Sequence, residues 1–144
     1  MPEPLPVNVV LADLDSQWNA SNVVEPFFIE VTGNNEPIRF DLNRGDHVIG
    51  RAGSPAFDEE PIGNWKYGNR TYGIELEVYT RSGRQRLYDL MAEIRRLCHS
   101  RMHSLTNFQR QQFMGFEEET QEHANVWMGT IEIELVNNAV LLET

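Results

Sequence analysis

Two histidines near the end of a predicted helix are the first candidate metal ligands. His99 and His103 are four residues apart, a spacing that places two imidazoles on one helix face. Zinc needs at least one more ligand, and Cys98 and His123 are the only soft candidates. Cys98 belongs to the apolar stripe of the helix, and histidines near a helix C-terminus also interact favourably with the helix dipole. We therefore expect no metal centre here.

A second candidate site consists of carboxylates. Glu75 and Glu77 alternate on a predicted strand, with Asp58 upstream, an arrangement typical of nucleases that hold magnesium. Such sites commonly place a lysine nearby to polarise the attacking water. The only lysine, Lys66, lies in an irregular stretch, and none follows Glu77 closely. The favoured interpretation is a strand that presents glutamates to solvent, with a small metal-dependent nuclease or nucleic-acid-processing protein as the alternative.

Nucleophilic catalysis and nucleotide binding have no motif in this chain. Cys98 is predicted to pack on an apolar helix face, where a thiol is inert. The sequence contains no serine in a G-x-S-x-G elbow, no P-loop and no dinucleotide fingerprint. We predict a protein that is not an enzyme and that has no cofactor.

Length and composition predict one domain spanning residues 1–144. A chain of 144 residues that is 40% hydrophobic can bury a core of its own. A single cysteine cannot form an internal disulfide, so the fold must depend on packing. No apolar run approaches the length of a membrane-spanning helix and the first residues lack a basic segment, so we expect a soluble protein that stays where it is made.

Hydrophobic periodicity predicts an α+β fold. Apolar residues recur at helical spacing in residues 7–18 and 87–102, and a capping box at 82–85 is predicted to begin the second helix. Strands are predicted at residues 26–31, 38–42, 47–51, 72–80 and 124–136, the last ending at a turn at Asn137 and Asn138, whereas residues 104–122 are ambiguous. We expect a largely antiparallel or mixed sheet of about four to five strands, with an N-terminal helix and one long amphipathic helix on one face. The opposite face would carry glutamates: Glu75, Glu77, Glu132 and Glu134.

Residues 52–70 show no periodicity of either kind. They combine glycines and prolines with an acidic triplet, which predicts a long irregular loop of the sort that is usually functional. Its candidate partner-contacting residues are Asp58, Glu59, Glu60, Trp65 and Tyr67.

The net charge of −10 is unevenly distributed along the chain. Residues 1–80, 81–103 and 104–144 carry balances of −8, +4 and −6. This balance argues against a sequence-reading nucleic-acid binder, and a single lysine among many carboxylates favours a salt-rich source. Segments of opposite charge can bind each other between copies of one chain. Arginine suits such an interface because its guanidinium group pairs well with carboxylates. The candidate interface residues are Arg84, Arg95, Arg96, Arg101, Glu117, Glu118, Glu119 and Glu122.

The order of elements resembles a known family of virion proteins. Residues 73–80, the turn at 81–84, the helix at 87–97 and the closing strand at 127–136 resemble tail-completion proteins, the tail-terminator or neck proteins of long-tailed phages and archaeal tailed viruses. The resemblance implies a subunit that closes into a ring, typically a hexamer, between the tail tube protein and the head connector, with DNA passing through the lumen. It also implies a location in the virion, and in the host cytoplasm during assembly. A head-completion or minor tail protein is the alternative within the same class.

Overall fold

The architecture consists of two helices and five strands in the part of the chain that the structure describes. The computed structural model describes residues 5–18, 23–30, 44–62, 67–105, 108–119 and 125–141, with only the backbone of residues 30, 62, 67 and 138–141. In chain order the elements are α1 (Pro6–Trp18), β1 (Phe27–Glu30), β2 (His47–Ile62), β3 (Tyr67–Thr80), α2 (Arg84–Ser100), β4 (Arg110–Glu118) and β5 (Trp127–Leu141).

The five strands form one mixed sheet in the order β1-β2-β3-β5-β4. β1 runs parallel to the start of β2, whereas the other three neighbouring pairs are antiparallel. The predicted α+β class, with an N-terminal helix, one further long helix and a mixed sheet, is confirmed. The ambiguous segment contributes the edge strand β4.

Both helices pack on one face of this sheet because their apolar stripes face the same alternating strand positions. Val10, Leu14 and Trp18 of α1 are buried. The leucines on the apolar side of α2, Leu87, Leu90 and Leu97, are buried as well. On the sheet side, the buried residues are Val48, Ile74, Leu76, Val78, Ile131, Ile133 and Leu135. The residues between them point away from the helices, as the period of two requires.

The start of α2 differs from the predicted capping box. The N-cap residue is Gly83, at φ 104°, and no side chain caps the helix. Ser82 instead donates its backbone N–H to Thr80 Oγ1 at 3.1 Å. The prediction was wrong because the tight turn after β3 needs a left-handed residue, which glycine supplies one position later than the serine.

A buried carboxylate joins α2 to the sheet and to the segment before β1. Asp46 accepts hydrogen bonds from the Thr80 hydroxyl and from Arg86 Nε, the latter at 2.7 Å. Arg86 Nη2 also donates to the Val24 carbonyl at 2.8 Å. The ion pair and these hydrogen bonds thus connect α2, the end of β3, the residue before β2 and the segment before β1.

The irregular loop predicted at residues 52–70 is wrong for most of its length. Residues 52–62 belong to β2 and residues 67–70 to β3, and the two strands form a long hairpin whose pairing extends from His47 with Tyr79 to Ile62 with Tyr67. Every side chain from 54 to 61 is exposed. Since the β2 arm of this hairpin buries neither of its sides, no alternation of apolar residues marks it in the sequence.

Two further predictions concern the strand ends. The turn predicted at Asn137 and Asn138 is wrong, because β5 continues to Leu141, where it pairs with Tyr67 of the extended β3. Pairing with β3 supplies backbone hydrogen-bond partners within residues 137–141. The two asparagines favour a turn locally, but the local sequence contains no information about this pairing. The strand predicted at 38–42 lies outside the described residues.

Neither helix in the described ranges is long and apolar enough to cross a membrane.

Candidate interaction surface

The sheet face opposite the two helices is acidic at its centre, around β3 and β5. The register places Glu75 of β3 directly opposite Glu132 of β5, and Glu134 opposite Gly73 two pairs further along. Glu132 is exposed, and Glu75 and Glu134 are half-buried. None of the three takes part in an ion pair with any residue that the structure describes. We call Glu75, Glu132 and Glu134 the acidic face.

A cleft of about 230 Å³ lies on this acidic face. Its floor is formed by β3 and β5, and Asp58 and Met114 are among the residues that line it. Met114 is 53% exposed at the irregularity in the pairing of β4 with β5. The cleft therefore combines carboxylates with an apolar wall, a combination that suits a cationic group on an apolar stem.

The wall of the cleft on the β2 side is formed by an irregularity in the hairpin. The register shifts between Ala52 and Phe57, and the chain between them crosses over β3. A Cβ atom added to Gly73 would lie 2.4 Å from the Pro55 carbonyl oxygen, and one on Gly53 would lie 2.9 Å from the Gly73 carbonyl carbon. Glycine is needed at this crossing because two backbones approach more closely than any side chain allows. Proline is tolerated there because it lacks the N–H that a regular ladder would use.

The carboxylates of the nuclease hypothesis do not form a metal site. Glu77 is bound on both oxygens, by Arg51 Nη2 at 2.7 Å and by the Tyr79 hydroxyl at 2.7 Å. Burial and the hydrogen bond to Glu77 raise the pKa of Tyr79 above its ordinary value. Asp58 Oδ1 accepts the backbone N–H of Glu59. Across the described ranges, no group of three histidine, cysteine or acidic side chains could hold a metal ion.

The histidines considered as zinc ligands do not converge with other ligands among the described residues. His103 follows the end of α2 in a turn, and its Nδ1 is 3.0 Å from the Gln109 carbonyl oxygen. His99 is exposed on the last turn of the helix, and His123 lies outside the described residues. Cys98 is fully buried, and desolvation together with the charge of Asp13 raises the pKa of its thiol to about 12.

Arg84 and Glu118, predicted to meet between copies, pair within one chain. Arg84 Nε and Nη2 bind the Glu118 carboxylate in a bidentate arrangement, each at 2.9 Å from one oxygen, and the Tyr88 hydroxyl donates to the same group at 2.7 Å. The hydrogen bond from Arg84 is the main cause that lowers the pKa of Glu118. This cluster ties the first turn of α2 to the end of β4.

The other candidate arginines differ from one another in their partners. Arg96 pairs with Glu93 on the same helix, and Arg101 Nη2 binds Asp13 of α1 at 2.8 Å. Arg95 is exposed and makes no ion pair with any of the residues described. It is therefore the one candidate arginine whose charge is not already compensated within the described part of the chain.

The remaining candidate residues are placed as follows. Glu117 and Glu119 are exposed, and Thr130 Oγ1 donates to Glu119 Oε1 at 3.3 Å. Asp58, Glu59 and Glu60 lie on the hairpin, where Glu59 pairs with Arg70 at 2.9 Å. Trp65 and Glu122 lie outside the described residues, and only the backbone of Tyr67 is described.

Sequence analysis predicted the acidic face but missed the cleft on it. Strand alternation alone indicates that the glutamates share a face, whereas the walls depend on the crossing at Gly73 and on Met114 at the irregularity of β4. The only local signal was the glycine and proline content of residues 53–55 beside a strand.

No protein-family model matches the chain, and no curated protein matches it. The resemblance to tail-completion proteins therefore stays a hypothesis. The features that bear on function are the acidic face, the long hairpin and the uncompensated Arg95.

Proposed function

We propose that this chain is a non-enzymatic structural subunit at the tail–neck junction of a tailed virus. Copies of it form a ring, most simply a hexamer, that terminates the tail tube and joins it to the head connector. Its partners are further copies of itself, the tail tube protein and the connector protein, and DNA passes through the lumen without specific binding. The protein is placed in the virion, and in the host cytoplasm during assembly.

The observation that carries this proposal is the exposed hairpin of β2 and β3. Its outer part is paired through the backbone along six residue pairs, from Phe57 with Tyr72 to Ile62 with Tyr67. The side chains of residues 54–61 are all exposed, and Phe57 is 48% exposed although it contacts the ring of Tyr72. Among the described residues, no strand pairs with the other edge of β2 beyond Gly50, and such an edge with an exposed aromatic ring is a liability in an isolated monomer. It suits a subunit whose hairpin contacts a neighbouring subunit.

The charge distribution also supports a ring through which DNA moves. The acidic face and Arg95 of α2 lie on opposite layers of one subunit. A contact between Arg95 of one copy and the acidic face of the next is therefore head-to-tail, and such contacts close into a ring when the rotation between neighbouring copies allows it. The net charge of −10 repels phosphates, so DNA can pass without being held.

Assembly on purified tails tests this proposal. We expect the chain to form rings in solution or to bind the end of tail tubes that lack it, as seen by light scattering and electron microscopy. A chain that stays monomeric at all concentrations, both alone and with tails, contradicts the proposal. Binding to heads in preference to tails favours a head-completion protein instead.

A nuclease assay distinguishes the proposed structural protein from the alternative, a small metal-dependent nuclease. Incubation of the chain with linear DNA and magnesium or manganese should leave the DNA intact, because the described carboxylates do not converge on a metal position. Cleavage that is lost in a Glu75→Gln variant would support the nuclease hypothesis.

A further inference from the structure

The exposed surface of α2 carries a narrow cationic stripe. Ala92, Arg95, Arg96 and His99 follow one another at spacings of three, one and three residues, which places them on one helix face, and all four are exposed. The small side chain of Ala92 lets another surface approach the helix closely. Arg96 is tied to Glu93, whereas Arg95 has no ion pair in the part of the chain described. We call these four residues the α2 stripe.

The acidic face carries charges that the described part of the subunit does not compensate. Glu75 and Glu132 are directly opposite each other on neighbouring antiparallel strands, and like charges at such positions are destabilising. The nearest basic position on the same face, Arg51, is opposite Glu75 in the register but binds Glu77. A cation supplied from outside would relieve this repulsion.

We propose that the α2 stripe of one copy packs on the acidic face of the next copy, with Arg95 inserted into the cleft between Glu75, Glu132 and Glu134. This inference rests on the proposed ring, and it names the two surfaces that build it. The helix of the neighbour covers the acidic part of the sheet face opposite the subunit's own helices. Helices on both faces of a sheet are one of the stable layer arrangements of domains.

A second copy is the occupant that the charges favour. Both surfaces belong to the same chain, and they lie on opposite layers of it, α2 on the covered side of the sheet and the acidic face on the other. The contact is therefore head-to-tail, so each subunit can donate one arginine stripe and receive another. The contact predicted between the arginines and Glu118 is not available to a neighbour in this form, because Arg84 of the same chain already binds that carboxylate.

The inference is tested with charge reversals on the two surfaces. Arg95→Glu and Glu132→Arg should each weaken self-association by about tenfold or more at low salt, because each places like charges together at the contact. The double variant R95E/E132R restores opposite charges with reversed sign and should assemble again. Equimolar mixing of the two single variants should also restore assembly, since each supplies the surface that the other lacks. Mass is measured by light scattering and native mass spectrometry.

Two controls accompany these variants. Arg44→Glu makes the same change in net charge as R95E at another exposed arginine and should leave association unchanged. Far-UV circular dichroism should be unaffected in all variants. Thermal unfolding of the dissociated chain should be unaffected in R95E, since Arg95 is exposed and has no ion pair with a described residue, whereas E132R removes the repulsion with Glu75 and should unfold at an equal or higher temperature.

The outcomes separate this inference from the proposed function. Rings that persist in R95E and in E132R overturn the inference while the ring proposal stands. A wild-type chain that never assembles, alone or on tails, overturns both. Binding of a synthetic arginine-rich peptide through Glu132 by a chain that stays monomeric overturns the second copy as occupant and assigns the surface to another basic partner.

Discussion

Among single residues, Cys98 shows how position within the fold controls side-chain chemistry. Its thiol is fully buried between α2 and the sheet, and its pKa is raised to about 12, so the reactive thiolate is scarce at neutral pH. The fold uses this cysteine as a small apolar residue.

We therefore expect the native protein to resist thiol reagents. With Ellman's reagent at about pH 8, Cys98 should react only after unfolding in guanidinium, because burial both excludes the reagent and disfavours the thiolate. Stoichiometric reaction of the folded protein within minutes would contradict the described packing of α2.

Glu25, in the segment before β1, is the second residue whose environment alters its chemistry. Its carboxyl group shares a hydrogen bond with the Asp15 carboxyl of α1, and this bond, burial and the charge of Asp15 raise its pKa to about 7. The folded state therefore binds more protons than the unfolded state between the ordinary pKa of a glutamate and about pH 7. In that window, stability falls as the pH rises.

Replacing Glu25 should remove this pH dependence. The variant Glu25→Gln should have a higher Tm than wild type at about pH 8, where wild type carries two repelling carboxylates, and the difference should shrink at about pH 5.5, where one of them is protonated. Thermal unfolding followed by circular dichroism at both pH values measures the effect. An equal difference at the two pH values would exclude the shared proton.

At the scale of elements, two of the three places where regular strand pairing is broken lie beside the cleft. One is the crossing of β2 over β3 at Gly73, and the other is the shift between Phe113 and Gly115 where β4 meets β5. The first brings backbone atoms into close approach, whereas a Cβ added to Gly115 would meet nothing within 4 Å. Both flank the cleft, so the irregularities decide the shape of the acidic face.

These two glycines form a matched pair for mutation. Gly73→Ala should destabilise the fold by about 1–3 kcal/mol, because the Pro55 carbonyl must move to admit the methyl group. Gly115→Ala has room and should be neutral or stabilising by up to about 1 kcal/mol, since alanine reduces the entropy of the unfolded chain. Urea denaturation of both variants measures the difference. Equal changes in the free energy of unfolding would mean that strand propensity determines the effect, and not the close backbone approach at Gly73.

At the scale of the whole molecule, both helices and the sheet share one hydrophobic core. The cluster includes Trp18 of α1, Leu90 of α2, Ile74 of β3 and Ile131 of β5. Trp18 is 2% exposed, and its indole N–H donates to the Val23 carbonyl at 2.7 Å. A single domain, as predicted from length, is expected to unfold as one unit when its elements share a core.

The shared core predicts one cooperative transition. Tryptophan fluorescence, which includes the signal of buried Trp18, and far-UV circular dichroism should give coincident urea curves for the dissociated chain. A fluorescence change that precedes the loss of secondary structure would indicate that α1 separates from the rest before global unfolding.

The sequence by itself determined the buried faces of α1 and α2 and of the central parts of β3 and β5. Helical spacing places the apolar stripes of α1 and α2, and strict alternation in residues 74–78 and 131–135 places the glutamates of the acidic face on one side. Burial of the only cysteine also follows from its position among the apolar residues of α2. These predictions succeed because the periods of helix and strand are local properties that a hydrophobic core imposes on every element it touches.

Only the tertiary structure decided which charges meet and how far the strands extend. Arg84 and Glu118 are 34 residues apart and Arg101 and Asp13 are 88 apart, so no local pattern indicates that they pair. The β2 arm beyond Ala52 is held by backbone ladder bonds and its side chains at 54–61 are all exposed, so it leaves no periodic trace in the sequence. Periodicity reports burial along one element, whereas ion pairs, register and cleft walls depend on distances between elements that folding alone sets.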